Sequence, residues 1–126
     1  KKVNVSHDIS DNVIIQGAED KLARAFLNIV DNAIKYTPVG GSVSITLTSK
    51  NGLARFRVRD TGVGIAKIDL PHIFERFYRG SRSGKVYGSG LGLAISQAII
   101  AAHKGTVDVK SDVGRGTTVT VTLLYT

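Results

Sequence analysis

Residues Val43 to Asp60 read VSITLTSKNGLARFRVRD, and their alternation decides the architecture. Val43, Ile45 and Leu47 alternate with Ser44, Thr46 and Thr48, the period-two pattern of a strand with one buried face. Asn51-Gly52 follows, the dipeptide that best tolerates the left-handed conformations of a tight hairpin turn. Beyond it Ala54, Phe56 and Val58 alternate with Arg55, Arg57 and Arg59, which makes the returning strand and puts three arginines on its solvated face. A hairpin with one apolar face must bury that face against another layer.

The flanking sequence supplies that layer. Upstream, Leu22, Ala25, Phe26, Ile29, Val30 and Ala33 recur at helical spacing, with Glu19 and Asp20 at the start, where carboxylates suit the helix dipole. Pro38 and Gly40-Gly41 end this helix. Val3 to Val5 and Val13 to Gln16 read as short strands. Downstream, Leu91 to His103 is apolar on most faces, a buried helix stopped by Gly105. Val107 and Val109, then Val119, Val121 and Leu123, make a final hairpin around Gly114 and Gly116. The expected fold is α+β, a two-layer α/β sandwich in which a mixed sheet of about five strands is covered by about three helices.

Between Asp60 and Ser89 periodicity is lost. Glycines stand at 62, 64, 80, 84 and 88, with one apolar cluster at Ile73, Phe74 and Phe77. Long loops in compact domains are usually functional or mobile. Phe74 and Phe77 read first as anchors of this segment in the core.

A chain of 126 residues holds one core, so residues 1–126 are expected to form a single domain. There is no cysteine, which excludes disulfides, thiolate metal sites and thiol catalysis together. No apolar run approaches the ~18–20 residues of a membrane span, so the stretch reads as soluble and is expected to be cytoplasmic. There is no methionine and the chain opens Lys1-Lys2-Val3, the expectation being a domain excised from a longer protein. Seventeen Lys and Arg against ten Asp and Glu give +7, a balance that favours an anionic partner. The basic residues are scattered rather than striped, which argues against nucleic acid and a lipid surface. Arg76, Arg79, Arg82 and Lys85 form one local concentration, suited to a small polyanion.

Three segments carry chemistry. Asn28, Asn32, Lys35 and Tyr36 share one helix face beside the apolar stripe. Asparagine is a mediocre helix former, so two of them a turn apart suggest a site rather than a scaffold. The Asn32 amide oxygen suits a hard cation such as Mg²⁺, and Lys35 suits phosphates; a merely wet helix face is the alternative. Asp60-Thr61-Gly62-Val63-Gly64-Ile65 follows a strand directly. A carboxylate there can accept a hydrogen bond from an exocyclic amine such as adenine's, and glycines two apart let a flat ring approach the backbone. Alone, this motif is only a turn. Gly88-Ser89-Gly90-Leu91-Gly92-Leu93 opens a helix, where exposed amides bind phosphate.

Together these segments resemble the motifs of sensor histidine kinases. Leu27 to Thr37 looks like the N box, Asp60 to Ile65 the first glycine box, and Ile73 to Arg79 the F box. Gly88 to Ile95 resembles the second glycine box, and Gly114-Arg115-Gly116-Thr117 the short glycine signature before the last strand. The resemblance implies the catalytic and ATP-binding domain of a two-component histidine kinase, with the Bergerat ATP-binding fold and a mobile lid over about 66–87. It implies ATP and Mg²⁺ as ligands. Asp60 would read the adenine amine with Tyr36 beside the base, and Asn32 would hold Mg²⁺. Asn28, Lys35 and Arg79 would act on the phosphates as the catalytic set. Gly62, Gly64, Ile65, Phe77, Gly88, Ser89, Gly90, Leu91, Gly92, Leu93 and Thr117 would complete the nucleotide site.

Gyrase-type relatives resemble this pattern with a glutamate where Asn28 stands, as base for an attacking water. An asparagine side chain cannot play that part, so poor hydrolysis is expected. The resemblance also implies a separate dimerisation domain that carries the acceptor histidine, a response regulator downstream, a membrane-anchored parent and a monomeric domain. His7 is not that acceptor: the family's acceptor box continues Arg-Thr-Pro-Leu on a long helix, whereas Ile9-Ser10-Asp11-Asn12 follows here. His103, beside Lys104-Gly105, reads as a helix cap. The rival readings are a degenerate nucleotide-binding module that signals by conformation, a basic nucleic-acid or lipid binder, and a serine/threonine-directed relative.

Overall fold

The structure is a computed structural model that describes residues 4–9, 19–75 and 92–124. β1 (Asn4–Ile9) is followed by α1 (Glu19–Tyr36), β2 (Ser42–Lys50), β3 (Leu53–Asp60), α2 (Gly92–Ala102), β4 (Thr106–Asp112) and β5 (Gly116–Leu124). The strands form one mixed sheet in the order β1-β2-β3-β5-β4. β1 runs parallel to β2, as a crossover through a helix requires, and the other neighbours are antiparallel. His7 lies in β1, a strand rather than a long helix. The proposed strand from Val13 to Gln16 lies outside the described residues.

Both α-helices serve one face of the sheet. Leu22, Ala25, Ile29 and Ala33 of α1 and Ile100 of α2 join Val43, Val58, Val119, Val121 and Leu123 in the core. The Phe26 and Phe56 rings meet at 4.5 Å, and the buried Ser96 hydroxyl donates to the Ala25 carbonyl at 2.8 Å, tying α2 to α1. On the other face Arg55, Arg57 and Arg59 are exposed, and no described helix covers them. There Arg59, Arg57 and Arg55 pair in register with Ser44, Thr46 and Thr48 on one side and Thr118, Thr120 and Thr122 on the other.

The hairpin turn is as the sequence predicts, with Asn51 at φ 54° and Gly52 at φ 79°. Two expectations change. Among the described residues there are two α-helices and one 3-10 turn at Leu70–His72, rather than about three helices. α2 is also not buried all round: Gln97, Ala98, Ala101 and Ala102 are exposed. Alanine presents little apolar surface, so a helix that reads as apolar on most faces can leave one of them in water.

The end of α2 differs in its cause. Gly105 N–H donates to the Ile100 carbonyl and Lys104 N–H to the Ala101 carbonyl, each at 2.9 Å, the paired bonds of a Schellman cap. Lys104, not Gly105, takes the left-handed position at φ 61°. Gly105 is required by packing, since a Cβ there would strike Leu123 and lie 2.7 Å from the Thr122 carbonyl. His103 caps as expected, its Nδ1 2.8 Å from the Ile99 carbonyl.

Candidate functional site

The site lies where the end of α1, the loop after β3 and the β4–β5 turn converge. Asp60 closes β3 on the helix-facing side and is buried, 5% exposed. Its Oδ1 accepts the Gly62 N–H at 2.8 Å and the Thr117 N–H at 3.1 Å. Among the described residues no donor reaches Oδ2. Burial pushes this carboxyl above the usual aspartate value, and the two amide donors offset that only in part.

The loop from Asp60 to Ile65 is held from three sides. Thr61 Oγ1 accepts the Ser42 N–H at 2.9 Å, which fixes the loop to the start of β2. Val63 N–H donates to the Tyr36 carbonyl at 3.2 Å, joining it to the end of α1. Gly114 N–H donates to the Val63 carbonyl at 2.9 Å, and Ile65 N–H to Ser111 Oγ at 2.7 Å, joining it to the β4–β5 turn. Side chains at the glycines would break these contacts. A Cβ at Gly62 would strike the Tyr36 carbonyl, one at Gly64 the Asp112 carbonyl, and one at Gly116 the Asp60 carbonyl. Gly64 and Gly116 also carry positive φ, 77° and 108°. The close approach these glycines permit is first an approach of protein backbone to protein backbone.

α1 brings its polar face to the same corner. Asn28, Asn32 and Tyr36 are half-buried and Lys35 is exposed. Neither asparagine has a side-chain hydrogen bond to a described residue. Thr37 ends the helix by returning its hydroxyl to the Ala33 carbonyl at 2.7 Å, ahead of Pro38. Ile65 and Thr117 are half-buried in the loop and at the start of β5, and Leu93 is half-buried in the first turn of α2. Phe77, Arg79, Gly88, Ser89, Gly90 and Leu91 lie outside the described residues, and Gly92 opens α2. Within the proposed lid, residues 66–75 are described; Asp69 is buried and Phe74 half-buried.

Two polar residues of this corner escaped the sequence reading, Thr61 and Ser111. Ser111 had a signal: it falls in phase with Val107 and Val109 on β4, a hydroxyl in a register of inward apolar side chains.

A buried strand-end carboxylate, one oxygen of which meets no donor among the described residues, thus stands beside a glycine-laced loop and a helix bearing two asparagines. The profile of the histidine kinase-, DNA gyrase B-, and HSP90-like ATPases matches residues 17–126. The chain belongs to this family. Among its relatives, this ATPase domain is 47% identical over 124 residues to the sensor histidine kinase RppB of Synechocystis sp., covering 96% of the chain and 27% of RppB. It is 43% identical over 111 residues to the sensor histidine kinase WalK of Bacillus subtilis, covering 85% of the chain and 18% of WalK. The domain thus spans about a quarter or less of these relatives. It superposes on the mycobacterial sensor histidine kinase MprB with a TM-score of 0.88 at 30% identity, over 98% of this chain and 84% of that one. It superposes on full-length ShkA in complex with AMPPNP with a TM-score of 0.82 at 32% identity, over 98% of this chain and 26% of that one. Within the family the chain is a catalytic ATPase domain of the sensor histidine kinase type. No helix among the described residues is long and apolar enough to cross a membrane.

Proposed function

We propose that the domain binds MgATP and donates its γ-phosphoryl group to a histidine on a separate dimerisation domain, from which a response regulator is served. The observation that carries this is Asp60: a buried carboxylate held by two backbone amides through one oxygen, with the other oxygen available to the adenine amine. Tyr36 flanks the base and Thr117 stands beside Asp60. Lys35, with Arg79 from the F box, neutralises charge on the triphosphate, while the amides at the start of α2 cradle phosphate.

The donor set fits Mg²⁺. The described residues contain no group of three His, Cys, Asp or Glu that could hold a metal alone. Asn32 offers one neutral amide oxygen, and Mg²⁺ is typically bound through few protein ligands with substrate phosphates and water. Bound there, the ion would screen the charge that develops on the phosphoryl oxygens.

In the transfer, a ring nitrogen of the acceptor histidine attacks the γ-phosphorus, the bond to the β–γ bridging oxygen breaks, ADP leaves, and the imidazole gives up a proton. Asn28 supplies no base for water, so the same geometry is slow at hydrolysis. The domain is expected to be cytoplasmic and monomeric, in a membrane-anchored parent, with no part in nucleic-acid binding.

Calorimetric titration with AMPPNP, with and without Mg²⁺, tests the binding step in the wild type and Asp60→Ala. Metal-aided binding that disappears in the variant supports the reading, and AMPPNP binding equal in both refutes it. Labelled phosphate reaching a histidine of an added dimerisation domain tests transfer; binding without such transfer would favour a module that signals by conformation.

A further inference from the structure

Across the helix-facing side of the sheet, Asp60 of β3 pairs in register with Thr117 of β5, and Thr117 with Ser111 of β4. Opposed residues of antiparallel strands project from the same face roughly 4.5–5.5 Å apart, so the carboxylate and the two hydroxyls stand in one row. The proton count in this row is constrained. Ser111 Oγ lies 2.7 Å from Ile65 N, 3.0 Å from the Gly116 carbonyl and 2.7 Å from Thr117 Oγ1. A serine hydroxyl has one proton and two lone pairs. The Ile65 amide can only donate, so it fills one lone pair. The Gly116 carbonyl can only accept, so the Ser111 proton is directed at it. The remaining contact then needs its proton from Thr117, whose own oxygen is left with lone pairs alone.

We propose that Ser111 is a specificity-determining positioning residue, which turns the Thr117 hydroxyl into a fixed acceptor beside Asp60. The second Asp60 oxygen and the Thr117 hydroxyl then both accept hydrogen bonds, and neither donates. The pair selects a purine with an amine at the 6-position over one with a 6-oxo group, because two acceptors face an amine favourably and a carbonyl unfavourably. The inference rests on the reading of Asp60 as the residue that recognises the base. Ser111 itself does not touch the base; it acts through Thr117.

The test is calorimetric titration of the whole chain with ADP and with inosine diphosphate, for the wild type, Ser111→Ala and Ser111→Thr. Removing the Ser111 hydroxyl also strips the Ile65 amide of its acceptor, which weakens both nucleotides alike and cancels in their ratio. It frees the Thr117 hydroxyl to rotate and donate to a 6-oxo group. The preference for ADP over inosine diphosphate is therefore expected to fall about fivefold in Ser111→Ala, roughly the worth of one hydrogen bond, and to recover in Ser111→Thr. A wild-type preference that persists unchanged in Ser111→Ala overturns the role of Ser111 and leaves the reading of Asp60 standing. A wild type that binds both nucleotides equally overturns the reading of Asp60, and this inference with it. If Ser111→Ala binds neither nucleotide, Thr117→Val decides: a reduced ratio supports the inference and an unchanged one overturns it.

Discussion

Asp60→Asn separates the job the carboxylate does in the fold, holding the loop, from the one proposed for it, reading the base. The carbonyl oxygen of the new amide can stand where Oδ1 stands and still accept the Gly62 and Thr117 N–H groups, at 2.8 and 3.1 Å in the native site. Those two donors also fix the orientation of the side-chain amide, since the flipped form would set its NH₂ against two N–H groups. The NH₂ then occupies the place of Oδ2 and faces the ligand. A charge-assisted hydrogen bond to the adenine amine is lost, worth ~1.5–3 kcal/mol, and a donor opposes a donor in its place. ADP affinity should fall at least 10- to 150-fold, at about 1.4 kcal/mol per decade. Stability should move the other way. Burial raises the folded-state value of Asp60 above its ordinary 3.8, so the native form carries no penalty while the group is protonated in both states. As pH rises from that ordinary value through the raised one, the folded protein must hold a charge it disfavours, and stability is lost. The amide of the variant never takes up that charge. Thermal melts should therefore coincide in acid and diverge in favour of the variant toward neutral pH. Calorimetry with ADP, and melts from about pH 3 to about pH 8, which span the titration of a raised aspartate, check both limbs. Affinity within about twofold of wild type, far less than one charge-assisted bond is worth, would refute the role in base reading. A variant that loses ground as pH rises would refute the electrostatic argument.

Lys104→Gly relieves a left-handed lysine at the Schellman cap of α2, and should stabilise the domain by about 0.5–1 kcal/mol in urea unfolding; a loss of stability would show that the lysine makes a compensating contact. Gly105→Ala, one residue on, should do the opposite. Its φ is ordinary, but the added methyl meets Leu123, the Thr122 carbonyl and Ile100, and overpacking of this kind costs about 1–3 kcal/mol. Asn32→Ala should leave the melting temperature nearly unchanged, since the side chain is half-buried without a described partner, and should abolish the gain in nucleotide affinity from added Mg²⁺. A gain that persists would move the metal to other residues.

The fold was legible wherever a local period carried it. The alternation on both sides of Asn51-Gly52 placed β2 and β3 and even assigned the three arginines to the exposed face, because burial of one sheet face imposes period two on every strand. The helical stripe from Leu22 to Ala33 did the same for α1. What misled was apolarity without size, since the alanines of α2 count as apolar but leave a face in water, and a glycine read as the helix stop that is needed for packing while Lys104 takes the left-handed position.

The candidate site divides along the same physical line. Asp60 and the two asparagines stand out because each breaks a pattern locally, a carboxylate at the end of an apolar register and amides beside an apolar stripe. The contacts that give Asp60 its environment are not local. Thr117 N–H reaches it from 57 residues away, and Ser111 meets Ile65 from 46 residues away. No period encodes such contacts, and only the strand order β3-β5-β4 brings them side by side. The glycines show the same division. From sequence, Gly62 and Gly64 are spaced to admit a flat ring. In the fold, the atoms a side chain would strike belong to Tyr36 and Asp112, so these glycines let the loop seat against α1 and the β4–β5 turn. The seating comes first, because a loop held by three elements can keep the Asp60 carboxylate in a fixed position. Placing a charge-bearing acceptor to within a fraction of an ångström is what makes recognition of one amine selective.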